Sequence, residues 1–134
     1  MSSVIKRIRE TLEQMAADTE FPMEGVWYGA CREKQLDKWN YFVFRRGKTT
    51  KDNSSRNSSR LDWQTFYQVN IIHEDYIPEG YVLRVIDALQ TKDASGTKLK
   101  ATTDDVEYNY TFKGSTNMVV EIATITFFHP EKRC

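Results

Sequence analysis

Hydrophobic and polar residues alternate along this chain with two different periods, which divide it into helices and strands. Over Val4–Ala16, apolar side chains recur every three or four residues and charged residues fill the positions between them. That spacing predicts an amphipathic helix with one face against a core. A second helix is predicted over 77–90, because Pro78 suits a first helical turn and an apolar stripe follows. The stripe consists of Tyr81, Val82, Val85, Ile86 and Leu89.

Five other segments are rich in β-branched and aromatic residues and predict strands. They are Val26–Cys31, Asn40–Arg45, Leu61–His73, Val106–Phe112 and Met118–His129. The third has the longest two-residue alternation, which places alternate side chains on opposite faces of a sheet. Its better core face consists of Trp63, Thr65, Tyr67, Val69 and Ile71. A short strand near Leu99 is predicted within the polar connection 91–105.

The order helix, three strands, helix, two strands predicts an α+β fold in a single domain, residues 1–134. Neighbouring strands that can form hairpins favour an antiparallel or mixed sheet of about five strands, with both helices packed on one face. Such a sheet leaves long open edges, which are a liability in a soluble monomer. Pairing with other copies of the chain would remove that liability.

Residues 45–60, RRGKTTKDNSSRNSSR, contain no aliphatic or aromatic side chain and repeat the sequence Asn-Ser-Ser-Arg. Six cations and one acid give the segment a net charge of +5, so the rest of this neutral chain carries −5. A segment with no core to build predicts a long flexible hairpin loop, which either binds a partner or is a solvated tip. The predicted interface residues are Arg45, Arg46, Lys48, Lys51, Arg56 and Arg60.

Residues that could carry catalysis, metal binding or cofactor binding do not form a recognisable motif. His73 and His129 end predicted strands without Cys, Asp or Glu at ligand spacing, and Cys31 and Cys134 give no disulfide framework. No glycine-rich phosphate loop or nucleophile motif occurs. The sequence therefore predicts no catalytic, metal or cofactor site, and a structural protein rather than an enzyme. No apolar run has signal-peptide or membrane-span length, so the expected compartment is the cytoplasm.

The element order resembles the tail terminator (tail completion) proteins of long-tailed bacteriophages. Members of that family have an N-terminal helix like Val4–Ala16 and an early strand similar to Tyr41–Phe44 (YFVF). A long strand then runs straight into a helix, as in Phe66–Leu89, and a closing aromatic strand resembles Val119–Pro130. The likeness covers most of the chain, although nothing aligns over 45–60 and 91–105.

The resemblance implies a structural virion protein that forms a ring, usually a hexamer, at the head–tail junction. Such a ring binds the last ring of the major tail tube protein, stops tube polymerisation and presents a surface to the head completion or connector protein. DNA would contact it only when passing through the ring lumen. The implied location is the virion, with assembly in the host cytoplasm, and no membrane or cofactor is involved.

Three alternatives remain open from the sequence. One is a head-completion or stopper protein on the other side of the same joint. Another is a small nucleic-acid-binding module that uses the basic segment, although Trp27, Trp63 and Tyr67 fit a buried sheet face better than a base-stacking surface. The third is an enzyme whose catalytic groups are scattered along the chain.

Overall fold

A computed structural model describes residues 3–30, 38–52, 62–91, 100–101 and 106–128 of the 134-residue chain. Within these residues the helices are α1 (Ser3–Ala16) and α2 (Tyr81–Gln90). The strands are β1 (Val26–Tyr28), β2 (Tyr41–Asp52), β3 (Asp62–Glu74), β4 (Lys100–Ala101), β5 (Glu107–Phe112) and β6 (Val119–Phe128).

The strands form one mixed sheet in the order β1-β2-β3-β6. β4 and β5 follow one another along the side of β6 that faces away from β3. β1 runs parallel to β2, and the other neighbouring pairs are antiparallel. The predicted α+β fold with a mixed sheet is therefore confirmed, and the two-residue β4 lies next to the strand predicted near Leu99.

Both helices pack on one face of the sheet, where alternate strand residues form the core with them. The strand residues of this core are Phe42, Phe44, Tyr67, Val69, Ile71, Ala123, Ile125 and Phe127. The central helix residues are Ile8, Leu12, Val85 and Leu89, which are fully buried. Burial of each large apolar side chain contributes about 1.5–3 kcal/mol. The core face predicted for β3 is confirmed at Tyr67, Val69 and Ile71.

Two glycines with left-handed backbone conformation bound elements that the apolar pattern predicted to be longer. Gly80 has φ 81° and precedes α2, and the amide of Tyr81 donates to the Pro78 carbonyl at 3.1 Å. The helix therefore begins at Tyr81 instead of Ile77, because a left-handed residue cannot continue a right-handed helix. Gly29, with φ 89°, follows β1 in the same way. The predicted end of that strand, Cys31, lies outside the described residues.

The prediction of a loop over 45–60 is wrong for its first eight residues, which belong to β2. Residues 45–52 pair with β3, and Lys51 and Asp52 lie opposite Trp63 and Asp62. The lack of apolar side chains suggested a loop, but strand pairing is made by backbone hydrogen bonds and needs no core on either face. Threonines at 49 and 50 also favour the extended backbone. Residues 53–61, including Arg56 and Arg60, lie outside the described residues.

The predicted burial of Trp27 among the core aromatics is also corrected. β1 pairs with β2 so that Trp27 lies opposite Val43, on the face away from the helices. Its neighbours Val26 and Tyr28 pack against the core instead. Trp27 is half-buried and makes an edge-on contact with Tyr41, with ring centroids 5.7 Å apart. The register of the short parallel strand β1 therefore places the Trp27 indole on the face away from the helices.

Tyr81 brings a polar atom into the core at the start of α2. Its side chain is 1% exposed and its ring stacks against Phe42, with centroids 6.3 Å apart. Its buried hydroxyl has no hydrogen-bond partner among the described residues. Burial raises the pKa of Tyr81 to about 12, although the positive charge of Arg84 opposes the shift. The core therefore favours the neutral phenol.

We expect Tyr81→Phe to stabilise the protein by about 1 kcal/mol at neutral pH, because it removes an unsatisfied buried hydroxyl. Wild-type stability should fall further as pH rises from about 10, the pKa of an unfolded tyrosine, toward 12. The difference between variant and wild type should therefore widen over that range. Urea unfolding at several pH values measures it, with Tyr108→Phe, at an exposed position, as the control. A less stable Tyr81→Phe protein would show that the hydroxyl has a partner.

Candidate assembly interface

β2 and β3 extend beyond the rest of the sheet as a two-stranded ribbon. β6 covers β3 from Phe66 onward, so residues 62–65 pair only with β2 among the described residues. The hydroxyls of Thr49 and Thr65 are hydrogen-bonded across the ribbon at 3.1 Å. β1 covers the outer side of β2 only at 42–44. The outer side of residues 45–52, here called the β2 edge, therefore has no strand partner within the described chain.

A bulge at Gly47 places Lys48 on the face away from the helices, the face that also carries Arg45. Arg46 lies opposite Tyr67, on the face that carries the helices, whereas Lys48 lies opposite Phe66, on the other face. Without the extra residue, positions 46 and 48 would share a face. The ammonium of Lys48 lies 5.4 Å from the centroid of the Phe66 ring, which is a cation–π contact. Arg45, Arg46 and Lys48 are all exposed.

Of the six predicted interface residues, the structure therefore places four on one strand. Arg45, Arg46, Lys48 and Lys51 belong to β2, and the first three present exposed positive charge at its edge. The other two, Arg56 and Arg60, lie in the part of the chain that is not described. The predicted clustering of charge is thus retained, but on a strand edge instead of a loop.

The opposite side of the sheet ends in β5, whose six residues are all exposed. β5 pairs with β6 and with no other described strand, and its outer side is here called the β5 edge. Tyr108, Tyr110 and Phe112 lie on the face that carries the helices, yet they are 48%, 58% and 59% exposed. No residue of β5 belongs to the core cluster. An exposed strand with this aromatic face is typical of an interaction surface.

Apolar residues at the start of α2 continue this surface. Tyr76 and Leu83 are 53% and 66% exposed, and Leu83 lines a shallow groove together with Tyr108, Ile77 and Pro78. Isolated exposed apolar side chains are ordinary, but a contiguous group of them is not. The β5 edge and the start of α2 therefore form one apolar surface.

Glu121 fixes the arrangement of this surface. One carboxylate oxygen accepts a hydrogen bond from the Tyr110 hydroxyl at 2.7 Å, and the other accepts one from the Ile77 amide at 3.0 Å. The bond to the carboxylate raises the pKa of Tyr110, because ionisation of the phenol would remove the bond and place two anions together. A residue of β6 thus holds β5 and the approach to α2 in one position.

The charges around the β5 edge are mainly negative. Glu107 on β5 and Asp75 and Glu79 before α2 are exposed, and Glu121 is half-buried. Glu79 lines the same groove as Tyr108. Glu107 lies opposite Thr124, on the face away from the helices, whereas Glu79 lies on the helix side. The two edges of the sheet therefore carry opposite charge, and on the face away from the helices Lys48 and Glu107 line one cavity together with Phe66, Gln68, Thr124 and Thr126.

Glu74, at the end of β3, connects the segment before β2 with the turn after β5. Its carboxylate accepts hydrogen bonds from the Trp39 amide at 2.8 Å and from the Lys113 ammonium at 3.2 Å. Its own amide donates to the Asn40 side chain at 3.1 Å. The side chains of Glu74 and Lys113 are largely buried, so this ion pair is less screened than a surface pair. It joins the turn after β5 to the segment that enters β2.

Among the described residues, no three His, Cys, Asp or Glu side chains lie close enough together to hold a metal ion. His73 is half-buried, and its Nδ1 lies 2.7 Å from the backbone carbonyl of Glu74. His129 and both cysteines lie outside the described residues. Neither described helix combines the length and apolarity of a membrane-spanning helix.

Sequence patterns gave only part of this arrangement. The cations of the β2 edge were predicted as interface residues, whereas the exposure of the aromatic face of β5 was not predicted. Its alternation, Glu-Tyr-Asn-Tyr-Thr-Phe, is the signal of a strand with one buried face. That signal marks the apolar face but does not distinguish burial in the chain's own core from burial against another molecule.

No protein-family model matches this chain, and no curated protein matches it in sequence. Several solved chains resemble it, among them a protein whose name states no function, with 15% sequence identity and a TM-score of 0.50. The likeness covers 100% of this chain and 99% of that chain. At this level of identity the comparison concerns the fold alone: a similar fold extends over 99% of another protein chain.

Proposed function

We propose that this protein is a tail terminator of a long-tailed bacteriophage, which forms a ring that caps the tail tube and joins it to the head. The observation that carries the proposal is the presence of two unlike edges on opposite sides of one sheet, neither of which has an outer strand partner among the described residues. Unlike surfaces on one subunit suit head-to-tail contacts, and head-to-tail contacts close into a ring when the rotation between subunits allows it.

The element order supports the family resemblance. α1 covers the helix expected near the N-terminus, and β2 contains the YFVF segment. β3 leads through a short turn into α2, and the aromatic β6 is the last described strand along the chain. These are the elements and the order on which the likeness to tail terminators rests.

The proposed mechanism is steric and requires no bond to be made or broken. A ring, by analogy with the family a hexamer, binds the last ring of tail tube subunits through one face. Its other face does not reproduce the tube's growing end, so polymerisation stops there. That second face binds the head completion or connector protein, and DNA passes through the lumen. The protein would then reside at the head–tail junction of the virion after assembly in the host cytoplasm.

We expect the purified protein to associate as its concentration rises and to cap tubes assembled from the cognate tail tube protein. Capped tubes should have a narrower length distribution than tubes grown alone, because a bound ring removes the growing end. Light scattering over a concentration series and electron microscopy of tubes measure the two effects. A single low-mass species at all concentrations, with or without tubes, would contradict the proposal.

Nucleic-acid binding is a second candidate, favoured by the exposed Arg45, Arg46 and Lys48 on a projecting ribbon. Cationic side chains of this kind contact phosphates without regard to sequence. A gel shift with random duplex DNA distinguishes the two functions. Binding that weakens steeply with salt in the absence of tail tubes would favour this candidate over a contact between proteins.

A further inference from the structure

We infer that two copies of this chain pair through their β5 edges about a two-fold axis, so that the aromatic faces of both β5 strands are buried together. The occupant of this surface is therefore a second copy of the chain. The pairing requires neither a ring nor a tail tube, and so goes beyond the proposed function. It follows from the exposed apolar side chains, the backbone that presents them and the residue order of β5.

The exposed large apolar side chains of the described residues all lie on one surface. They are Tyr76, Leu83, Tyr108, Tyr110, Phe112 and Met118, each between 42% and 66% exposed. Leu83 and Tyr108 line one groove. Met118 closes the turn that follows Phe112, since its carbonyl accepts a hydrogen bond from the Lys113 amide at 2.9 Å. A contiguous apolar group of this size is typical of a contact with another molecule.

The backbone holds Tyr76 on this surface in an unfavourable conformation. Its φ is 70°, a rare value for a bulky residue. The preceding Asp75 amide donates to the Val119 carbonyl on β6 at 2.8 Å. The following Ile77 amide donates to the Glu121 carboxylate, also on β6, at 3.0 Å. The fold thus accepts backbone strain to keep this ring exposed beside β5, as is common at functional sites.

The residue order of β5 is complementary to itself in an antiparallel pairing. When Tyr110 lies opposite Tyr110 of the second copy, Tyr108 lies opposite Phe112 and Asn109 lies opposite Thr111. Directly opposite residues share a face of the sheet. The aromatic residues of the two copies therefore meet on the helix side, and the amide and hydroxyl side chains meet on the other side. A two-fold axis perpendicular to the sheet gives this register and leaves the helices of both copies on one face.

The acidic groups around β5 do not oppose this pairing, because they lie away from the axis at Tyr110. Glu107 is three residues from the axis, so it lies about 20 Å from its symmetry mate along the strands. Glu79 lines the groove beside Tyr108, whose symmetry mate is about 14 Å away by the same measure. Exposed charges separated by more than about 10 Å are largely screened at ordinary ionic strength.

The apolar surface is about as large as a specific dimer requires. Each of its six side chains is about half exposed, and full burial of an aromatic side chain removes about 150–250 Å² from water. Each copy therefore presents roughly 600 Å² of apolar side-chain surface, and a pair could bury roughly 1,200 Å². Specific interfaces bury about 1,200–2,000 Å² in total. Backbone hydrogen bonds between the two strands would add to the contact.

This dimer would keep the free protein in a form that cannot build the proposed ring. A ring of head-to-tail contacts uses the β5 edge for a neighbour, and the two-fold pairing covers that edge. The dimer would therefore separate before a ring closes on a tail tube. Until then, a covered edge would protect the free protein from indiscriminate strand pairing.

Cysteine cross-linking tests the register, in a background with Cys31→Ser and Cys134→Ser. Asn109→Cys and Thr111→Cys each place one thiol on the exposed face of β5 away from the helices. Positions 109 and 111 of different copies would lie opposite one another, with Cα atoms about 4.5–5.5 Å apart, which suits a disulfide. Two copies of the same variant would hold these Cα atoms about 8 Å apart, which is too far.

An equimolar mixture of the two variants should therefore form a linked dimer under mild oxidation, and each variant alone should not. Electrophoresis without reductant measures the linkage. The control is Lys6→Cys in the same background, at an exposed position on α1, which packs against α2, β1 and β2. This control measures linkage by random collision.

A mixture that links no more than the Lys6→Cys control would overturn the inference, provided that circular dichroism shows both variants folded. Linkage of either single variant without linkage of the mixture would also overturn it, because the strands would then pair in another register. Sedimentation velocity of the wild type gives a second measurement. It should show a dimer before larger species appear, and a monomer that passes directly to larger species would contradict the pairing.

Tube capping by the same preparations separates this inference from the proposed function. A mixture that links, from protein that never caps tubes in its reduced form, supports the dimer and contradicts the tail terminator function. Wild-type protein that caps tubes, together with a mixture that does not link, supports the function and overturns the dimer. If both are correct, the linked dimer should cap tubes only after a reductant is added. Capping by the linked dimer would overturn its exclusion from the ring.

Discussion

Replacing Phe44 by alanine should lower the free energy of unfolding by about 4 kcal/mol, because it leaves a cavity in the centre of the core. Phe44 is completely buried on β2, and its ring lies 5.1 Å from that of Tyr28 on β1. It belongs to the cluster that holds both helices against the sheet. A loss of that size is a large part of the about 5–15 kcal/mol that stabilises a typical domain.

Phe112→Ala is the matched control, because it removes the same side chain from a position that is 59% exposed. In the monomer it should change the free energy of unfolding by less than about 1 kcal/mol. Urea unfolding followed by circular dichroism, at protein concentrations too low for association, gives both values. Similar losses for the two variants would mean that β5 is packed more tightly than its exposure indicates.

Replacing Tyr108 and Phe112 together by threonine should weaken self-association by about 100-fold and leave folding nearly intact. Each aromatic side chain buried at an interface centre contributes about 1.4 kcal/mol or more, which is tenfold in affinity. Threonine keeps a high strand propensity, so β5 itself should persist. Sedimentation velocity measures the dissociation constant, and thermal unfolding of the dilute protein measures stability.

The control for this experiment is Asn109→Thr with Thr111→Ser, on the same strand but on its other face. It should associate like wild type, because it leaves the aromatic face and the backbone edge unchanged. Equal weakening by both double variants would show that β5 matters as a strand but that its aromatic face does not. Unchanged association of the Tyr108 and Phe112 variant would remove β5 from the interface.

Two residues of α2, Tyr81 and Arg84, each combine an apolar contact with a polar or charged group. Tyr81 fills the core between Phe21 and Phe42 and also carries a hydroxyl that the described core does not satisfy. Arg84, one turn further along α2, forms an ion pair with Asp18 at 3.0 Å and lies over the Phe21 ring. These contacts join α2 to the segment that follows α1, so the helices are positioned by charge as well as by apolar packing.

The local periodicity of the sequence was sufficient to predict the elements and the fold class. The three-to-four-residue spacing over α1 matches the period of a helix, and the two-residue alternation over β3 matches that of a strand. In water, each pattern favours an element with one buried face. The hairpin turn between β5 and β6 was equally local, since Gly114 with φ 56° and the bond from the Lys113 amide to the Met118 carbonyl close it. Such features depend on neighbours in the chain and can be read from it.

Tertiary structure decided where each strand stands in the sheet and which surfaces remain uncovered. β2 continues through polar residues 45–52 because β3 supplies backbone partners, which the composition of β2 alone does not reveal. The aromatic face of β5 is exposed because this strand lies at the sheet's edge, outside the core that the helices share with β2, β3 and β6. An alternating pattern indicates that one face of a strand is apolar. Only the positions of distant segments determine whether that face is buried by the same chain.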